Sequence, residues 1–313
     1  MTIRALWSRG TTTLRRTVQL RAALAFRLLT VAIILALGVG LYKNWQEVED
    51  YLRGIRFDYV VLALAAHAIA LGCTAVAWHL IVRAFSGDAH FGRDAKVYYS
   101  TTVAKRVPGV VWYIAGRAHL YSQAGISKSV VVTCTLMETA LVFVCGVASF
   151  LLLSPLYSYW LLPGNAWLLL IPAVPLIGIA LQPVILVRFV NLFLKRFDRA
   201  QMSVRPSRVS ILPICAMYGL AWLGGGLCLY LLISASHPLP VSELPTVIGF
   251  ATISGLAGLL TLALPAGMGV KEITLAALLA YYVPFPVAIV ISVLFRMLTT
   301  ADEILWAVIA TAL

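Results

Sequence analysis

The chain has 313 residues, 61% hydrophobic and only 12% charged, with a mean hydropathy of +0.94. Soluble domains carry about twice that charged fraction, so the composition is that of an integral membrane protein, with no stretch polar and long enough for a soluble catalytic domain. The net charge of +12 sits in blocks beside apolar segments, the positive-inside pattern of a topology signal with some affinity for anionic lipid, and not a nucleic-acid surface.

Residues 1–21 form a basic segment; six arginines and no acid precede Leu28. The segment is too long and too rich in arginine for an ordinary cleaved signal, and no A-x-A site follows its apolar run. It is read as cytoplasmic, leading into an uncleaved first span of the inner (cytoplasmic) membrane. A bilayer core takes about 20 apolar residues per helix, which predicts spans at 22–42, 59–82, 127–153, 164–187, 209–233 and 286–312. Two more apolar regions, 93–118 and 244–282, are interrupted by proline and glycine. The expected fold is all-α and polytopic, a single transmembrane domain over 22–313. It has about six to eight transmembrane helices and two broken or re-entrant elements.

Loop charges orient these spans. Residues 43–58 are net −1 and fall outside; 83–106 carry five basic residues against two acids and fall inside. The loop at 154–165 is uncharged, and 188–208 holds six basic residues against Asp198. With the next span leaving near His237, the two broken regions are approached from opposite faces. That is the geometry of an inverted repeat, its halves at about 59–153 and 209–313. Glu138 follows Pro108 by 30 residues and Arg296 follows Pro265 by 31. Chance similarity between two hydrophobic stretches is the alternative.

Glu138 lies well inside a span, where a charge costs about 2.5–3.5 kcal/mol on insertion scales and calls for a partner, a proton or a wet cavity. Arg296 is the expected partner; the pair would couple the two halves, and a protonatable Glu138 could link transport to a proton gradient. Asp302 and Glu303 read as solvated helix-end charges, and His67 and His79 as core histidines without evident partners.

The second break, Leu264–Glu272, carries the strongest pattern. Pro265 ends a helix because it lacks an N–H and clashes with the preceding turn. Gly267 and Gly269 allow backbone angles other residues resist. A helix starting near Val270 aims free N–H groups at the turn, a seat for phosphate. Lys271 adds a cation, and Glu272 orients Lys271 or binds an amine. A tight loop between two spans is the alternative. In the first break, Pro108 and Gly109 are bracketed by Lys105, Arg106 and Arg117. Lys105 and Arg106 read as interfacial anchors, whereas an apolar stretch sets Arg117 apart from them. Gly224–Gly226, Ala251, Gly255 and Gly258 read as close-packing positions. The five cysteines lie in apolar runs without CxxC or metal spacing, so they read as buried thiols, and no cofactor or metal is expected. No GxxxxGK[ST], HExxH, GxSxG or GxGxxG occurs, which argues against ATP hydrolysis, zincin and serine-hydrolase chemistry.

Lys105-Arg106-Val107-Pro108-Gly109-Val110-Val111-Trp112 with Gly116-Arg117, and later Pro265-Ala266-Gly267-Met268-Gly269-Val270-Lys271-Glu272, resemble the paired motifs of a flippase-like membrane family. That family is named for the transmembrane region of lysylphosphatidylglycerol synthase. Its pattern is K-x-x-P-G-x-x-W, then G-R, then P-G-G-x-G-x-R-E, so Ala266 and Lys271 depart from it. Lysine keeps the charge and loses the bidentate geometry of arginine. The resemblance implies a domain that handles lipid across the bilayer. It does not carry over aminoacyl-lipid synthesis, which belongs to a separate soluble domain in bifunctional relatives. The expected function is translocation of a lipid with a phosphate-bearing headgroup, a phospholipid or polyprenyl-linked lipid, with no enzymatic activity and no nucleic-acid partner. Arg117 and Lys271 would hold phosphate, with Pro108, Gly109, Pro265, Gly267 and Gly269 shaping the turns and Glu272 recognising the headgroup. The alternatives are a non-transporting partner that presents lipid to a separate lipid-modifying enzyme, and a membrane-embedded transferase using Glu138 or Glu272 as base.

Overall fold

The computed structural model describes residues 45–106, 111–157, 208–261 and 269–312, with isolated positions between 171 and 195. The spans expected at 22–42 and 164–187, and Pro108, Gly109, Pro265 and Gly267, lie outside the described residues. The chain forms two compact units, Met1–Asp50 and Tyr51–Leu313. Of the first, the described residues open a polar helix, α1 (Trp45–Arg53).

The second unit is all-helical over its described residues. Its elements are α2 (Phe57–Ser86), α3 (Phe91–Thr102), a 3-10 turn (Val103–Arg106), α4 (Val111–Gln123), α5 (Lys128–Leu153), α6 (Arg208–Ser234), α7 (Leu244–Thr261), α8 (Val270–Leu279) and α9 (Phe285–Ala312). Among the described residues, five helices are long and apolar enough to cross a membrane: α2, α5, α6, α7 and α9. The remaining helices of this unit, α3, α4 and α8, have 12, 13 and 10 residues. At 1.5 Å per residue they reach about 15–20 Å, short of a bilayer core of about 30 Å.

These short helices belong to two antiparallel hairpins. In the first, α3 and α4 meet along their length. The Tyr121 hydroxyl donates to Asp94 at 2.9 Å, Arg117 Nε donates to Thr101 Oγ1 at 3.0 Å, and Lys105 Nζ lies 5.3 Å from the Tyr113 ring centre. In the second, α8 runs back along α7. Gly258 faces the Lys271 side chain, the Phe250 and Tyr282 rings are 5.9 Å apart, and the Tyr282 hydroxyl donates to the Glu243 carboxylate. Each pair of described arms, α3 with α4 and α7 with α8, is thus antiparallel. Helices α2 and α5 flank the first hairpin in the chain, and α6 and α9 flank the second, whose arm α7 is itself long enough to cross a membrane.

Tight helix contacts join the halves. Apolar side chains gain little from leaving lipid, so packing and interhelical hydrogen bonds do this work. Gly226 lets α6 approach α7 so closely that a Cβ there would lie 2.6 Å from the Ile248 Cα, and Gly224 meets Ala70 of α2. Trp222 of α6 fills the space beside Gly146 of α5 and Gly255 of α7; its indole N–H donates to the Val142 carbonyl at 3.1 Å. The Arg56 N–H donates to Ala235 O at 2.9 Å, tying the start of α2 to the end of α6. Helix α9 packs against α2, α3, the 3-10 turn and α8, and so touches both hairpins.

Candidate functional site

Each hairpin gathers one lysine, one arginine and one glutamate beside the long helix that follows it. In the first cluster, Arg117 stands on the returning arm α4 and Glu138 ten residues into α5. Arg117 is 0% exposed and Glu138 is 3% exposed, and the guanidinium donates to Glu138 Oε2. Lys105, at the end of the 3-10 turn and 32% exposed along its side chain, donates to the other carboxylate oxygen at 3.2 Å. Aromatic faces line both cations. The Arg117 guanidinium carbon is 4.0 Å from the Trp78 ring centre, 5.0 Å from Tyr98 and 5.5 Å from Tyr113. The Lys105 ammonium is 5.4 Å from Tyr98. Such contacts favour a cation most where water is excluded. Among the described residues, Arg117 Nη2 and the Tyr218 hydroxyl are buried without a hydrogen-bond partner.

A second layer fixes the aromatic wall. Trp78 donates its indole N–H to the Tyr121 hydroxyl at 2.9 Å, and Tyr121 donates to Asp94 Oδ1. Asp94 is 0% exposed; it also accepts from Arg93 Nε at 3.2 Å and meets His79 Nδ1 at 2.8 Å. The base of the first hairpin is thus connected to the ring beneath Arg117 by an unbroken chain of hydrogen bonds.

The second cluster is built at the start of α8. Gly269 has φ of +106°, which an L side chain rarely adopts. Glu272 reaches back, its Oε2 accepting from the Gly269 N–H at 3.0 Å, as in one half of a capping box. Its other oxygen accepts from Arg296 Nη1 of α9, and Ser292 donates to the Glu272 carbonyl at 3.2 Å. The tip of this hairpin therefore sits beside α9 seven to eleven residues from its start, about 10–16 Å along its axis. Lys271 lies with its ammonium 5.2 Å from the Phe295 ring centre. Arg296 keeps 33% of its side chain exposed.

Several expectations change. Glu138 and Arg296 do not pair with each other, because the hairpin arms bring each a nearer partner: Arg117 and Lys105 for Glu138, Glu272 for Arg296. The two Glu272 oxygens accept from the Gly269 N–H and from Arg296 Nη1. Lys105 is an ion-pair partner within the protein and not a plain interfacial anchor. His67 and His79 have partners, Asp302 Oδ2 at 2.6 Å and Asp94 Oδ2 at 2.8 Å. Asp302, 3% exposed, is therefore no solvated helix-end charge. Trp78, Tyr98 and Asp94 carried no signal that marks a site, since aromatics in an apolar run read as core. Lys105 could have been found from its position three residues before Pro108 at a break. The cysteines are free thiols, buried or half-buried, as read.

No curated protein matches the chain. The family model described as the lysylphosphatidylglycerol synthase TM region matches residues 21–305. This is an integral membrane protein that belongs to that family, whose members are concerned with lipid modification or transport.

Proposed function

We propose that the protein translocates a lipid with a phosphate-bearing headgroup between the leaflets of the cytoplasmic membrane, with its N-terminus cytoplasmic, and performs no covalent chemistry on the lipid. The observation that carries the reading is the repeated cluster. At one hairpin Lys105 and Arg117 both meet Glu138; at the other Arg296 meets Glu272 and Lys271, next along the chain, lies over the Phe295 ring, so each gathers two cations and one carboxylate. Each cluster has a net charge of +1, which suits a phosphodiester. In this reading the hairpins are re-entrant and enter from opposite faces as an inverted repeat. Tyr99 of α3 stacks on Trp306 toward one end of α9, and α8 reaches Ser292 and Arg296 toward the other, which supports that arrangement. Hairpins with a short returning arm that meets a long helix partway along are tolerated at membrane depth where they line a polar path.

The roles follow exposure. Lys105 and Arg296, each about a third exposed, meet the phosphate first. Arg117 and Glu138 are enclosed, so they set the charge balance, and Arg117 meets phosphate only as the hairpin opens. Lys271 adds attraction at the second turn. Gly269 with Glu272 holds the start of α8. Full enclosure of Arg117 favours a second reading, in which the clusters are fixed braces and the protein presents lipid to a separate modifying enzyme.

A leaflet-exchange measurement separates the two. Purified protein is placed in vesicles with fluorescent anionic, zwitterionic, aminoacylated and polyprenyl-linked lipids, and the outer-leaflet label is quenched with time. We expect protein-dependent exchange of at least one phosphate-bearing lipid, reduced about tenfold or more in Lys271→Ala with Glu272→Ala, the loss of a contact worth roughly 1.4 kcal/mol. Equal exchange in a folded variant removes the second cluster from the path. No exchange of any lipid, with an enzyme co-purifying, favours the presenting role.

A further inference from the structure

Outside both clusters lies another pair of ionisable groups within the helices. His67 stands ten residues into α2, and Asp302 lies seventeen residues into α9. The His67 Nδ1 and Asp302 Oδ2 atoms are 2.6 Å apart, with side chains 14% and 4% exposed. With Nδ1 engaged on the carboxylate, Nε2 is the atom left to take or release a proton. A neutral imidazole leaves the pair with the carboxylate's single negative charge; a proton on Nε2 brings the pair to zero. Burial among apolar helices makes that difference costly.

Among the described residues placed near the pair, no other group ordinarily changes charge near neutrality. Tyr99 on α3 and Cys228 on α6 lie within electrostatic reach of Asp302, with Cys73 of α2 beside Tyr99 and Lys271 of α8 within reach of Cys228. On α9 itself Glu303 is adjacent and Arg296 is held by Glu272. On α5 the charged group is Glu138, held by Arg117 and Lys105. Phenols, thiols and ammonium groups ordinarily titrate above neutral pH and glutamates well below it, which leaves imidazole.

The geometry points to His67 and Asp302 as an intramembrane proton-binding site whose occupancy sets how firmly α9 is held to α2. Arg296 is six residues from Asp302 on the same helix, about 9 Å along its axis, and the 3-10 turn of the first hairpin packs on α9 as well. A proton that changes the α2–α9 contact therefore bears on both clusters. Its role in driving exchange rests on the translocation reading; proton binding itself does not.

The experiment records nitrogen-15 histidine spectra of the full chain in lipid nanodiscs from about pH 5 to pH 8, the range of imidazole. The same preparations are tested for lipid exchange across that range. His67→Gln assigns the signal, one of five histidines. We expect the His67 Nε2 signal to change across this range in the wild-type protein, and to change differently in Asp302→Asn, where the carboxylate on Nδ1 is gone. The exchange rate should follow the wild-type change, and His67→Gln should exchange lipid without that pH dependence. A His67 signal that stays constant in the wild-type protein, or that titrates unchanged in Asp302→Asn, overturns the site. Titration with exchange that ignores pH overturns its coupling to α9. If no lipid exchanges at all, the translocation reading fails, and the proton site is still decided by the spectra.

Discussion

At the scale of the residue, the decisive fact is that Glu138 serves two cations. Arg117 has no exposure and its guanidinium rests on Trp78, so the carboxylate is what makes burying it tolerable. Removing one partner of a buried ion pair costs about 3–5 kcal/mol, because the other charge is left uncompensated. Glu138→Gln should therefore unfold at a clearly lower temperature in detergent, whereas Arg117→Met combined with Glu138→Leu should recover most of the loss. Thermal unfolding followed by tryptophan fluorescence tests this, and a Glu138→Gln protein as stable as wild type contradicts the account. The costly position of Glu138 and of Arg296 was legible in the sequence, since a lone charge in an apolar run demands an answer. Which partner answers was not, because it depends on where each hairpin arm lies against the helix that follows it. His67 and Asp302 stand 235 positions apart; nothing local in either neighbourhood announces the other.

At the scale of the element, proline and glycine marked the two interruptions, and the chain does change direction at both. Helices α2, α5, α6 and α9 were expected from their apolar length and begin and end within a few residues of those expectations. What the pattern could not give was the pairing of α3 with α4 and of α7 with α8 as antiparallel arms. The same composition also suits a broken span, and only contacts such as Asp94 with Tyr121 distinguish the two. Small residues on α6 were read as close-packing positions, and Gly224 and Gly226 serve that purpose, while Gly225 faces open space. Gly226→Ala places a methyl group against the Ile248 backbone, which no rotamer change relieves. Overpacking of this kind costs about 1–3 kcal/mol. Gly219→Ala, with nothing within 4 Å of its new Cβ, should be neutral or slightly stabilising, because alanine favours a helix by about 0.5–1 kcal/mol over glycine. Paired unfolding curves check both; equal loss in the two variants would mean that α6 and α7 are not in tight contact.

At the scale of the whole molecule, charge asymmetry predicts orientation. The connection at 87–90 lies at one end of α2, and His237 follows the end of α6 beside the other, where Arg56 bonds to Ala235. In a variant without native cysteines, His237→Cys should react with an impermeant maleimide on intact cells. Asp88→Cys should react only after permeabilisation. The reverse result inverts the assigned topology, and reaction of both from one side breaks the pairing of α2 with α6. Membrane class and helical content were legible because hydrophobicity acts over whole segments. The partition of six charges into two local clusters was not, because it depends on how far each hairpin reaches.

That partition bears on how the protein is made. A bond between Glu138 and Arg296 would have left each charge waiting for a helix 158 residues away. As built, Arg117 finds Glu138 after 21 residues, Lys105 finds it after 33, and Glu272 finds Arg296 after 24. Each cluster is complete once its own hairpin and the next helix have left the insertion machinery. The growing chain never has to store a bare mid-membrane charge while the other half is synthesised, so the order of translation is also the order of neutralisation.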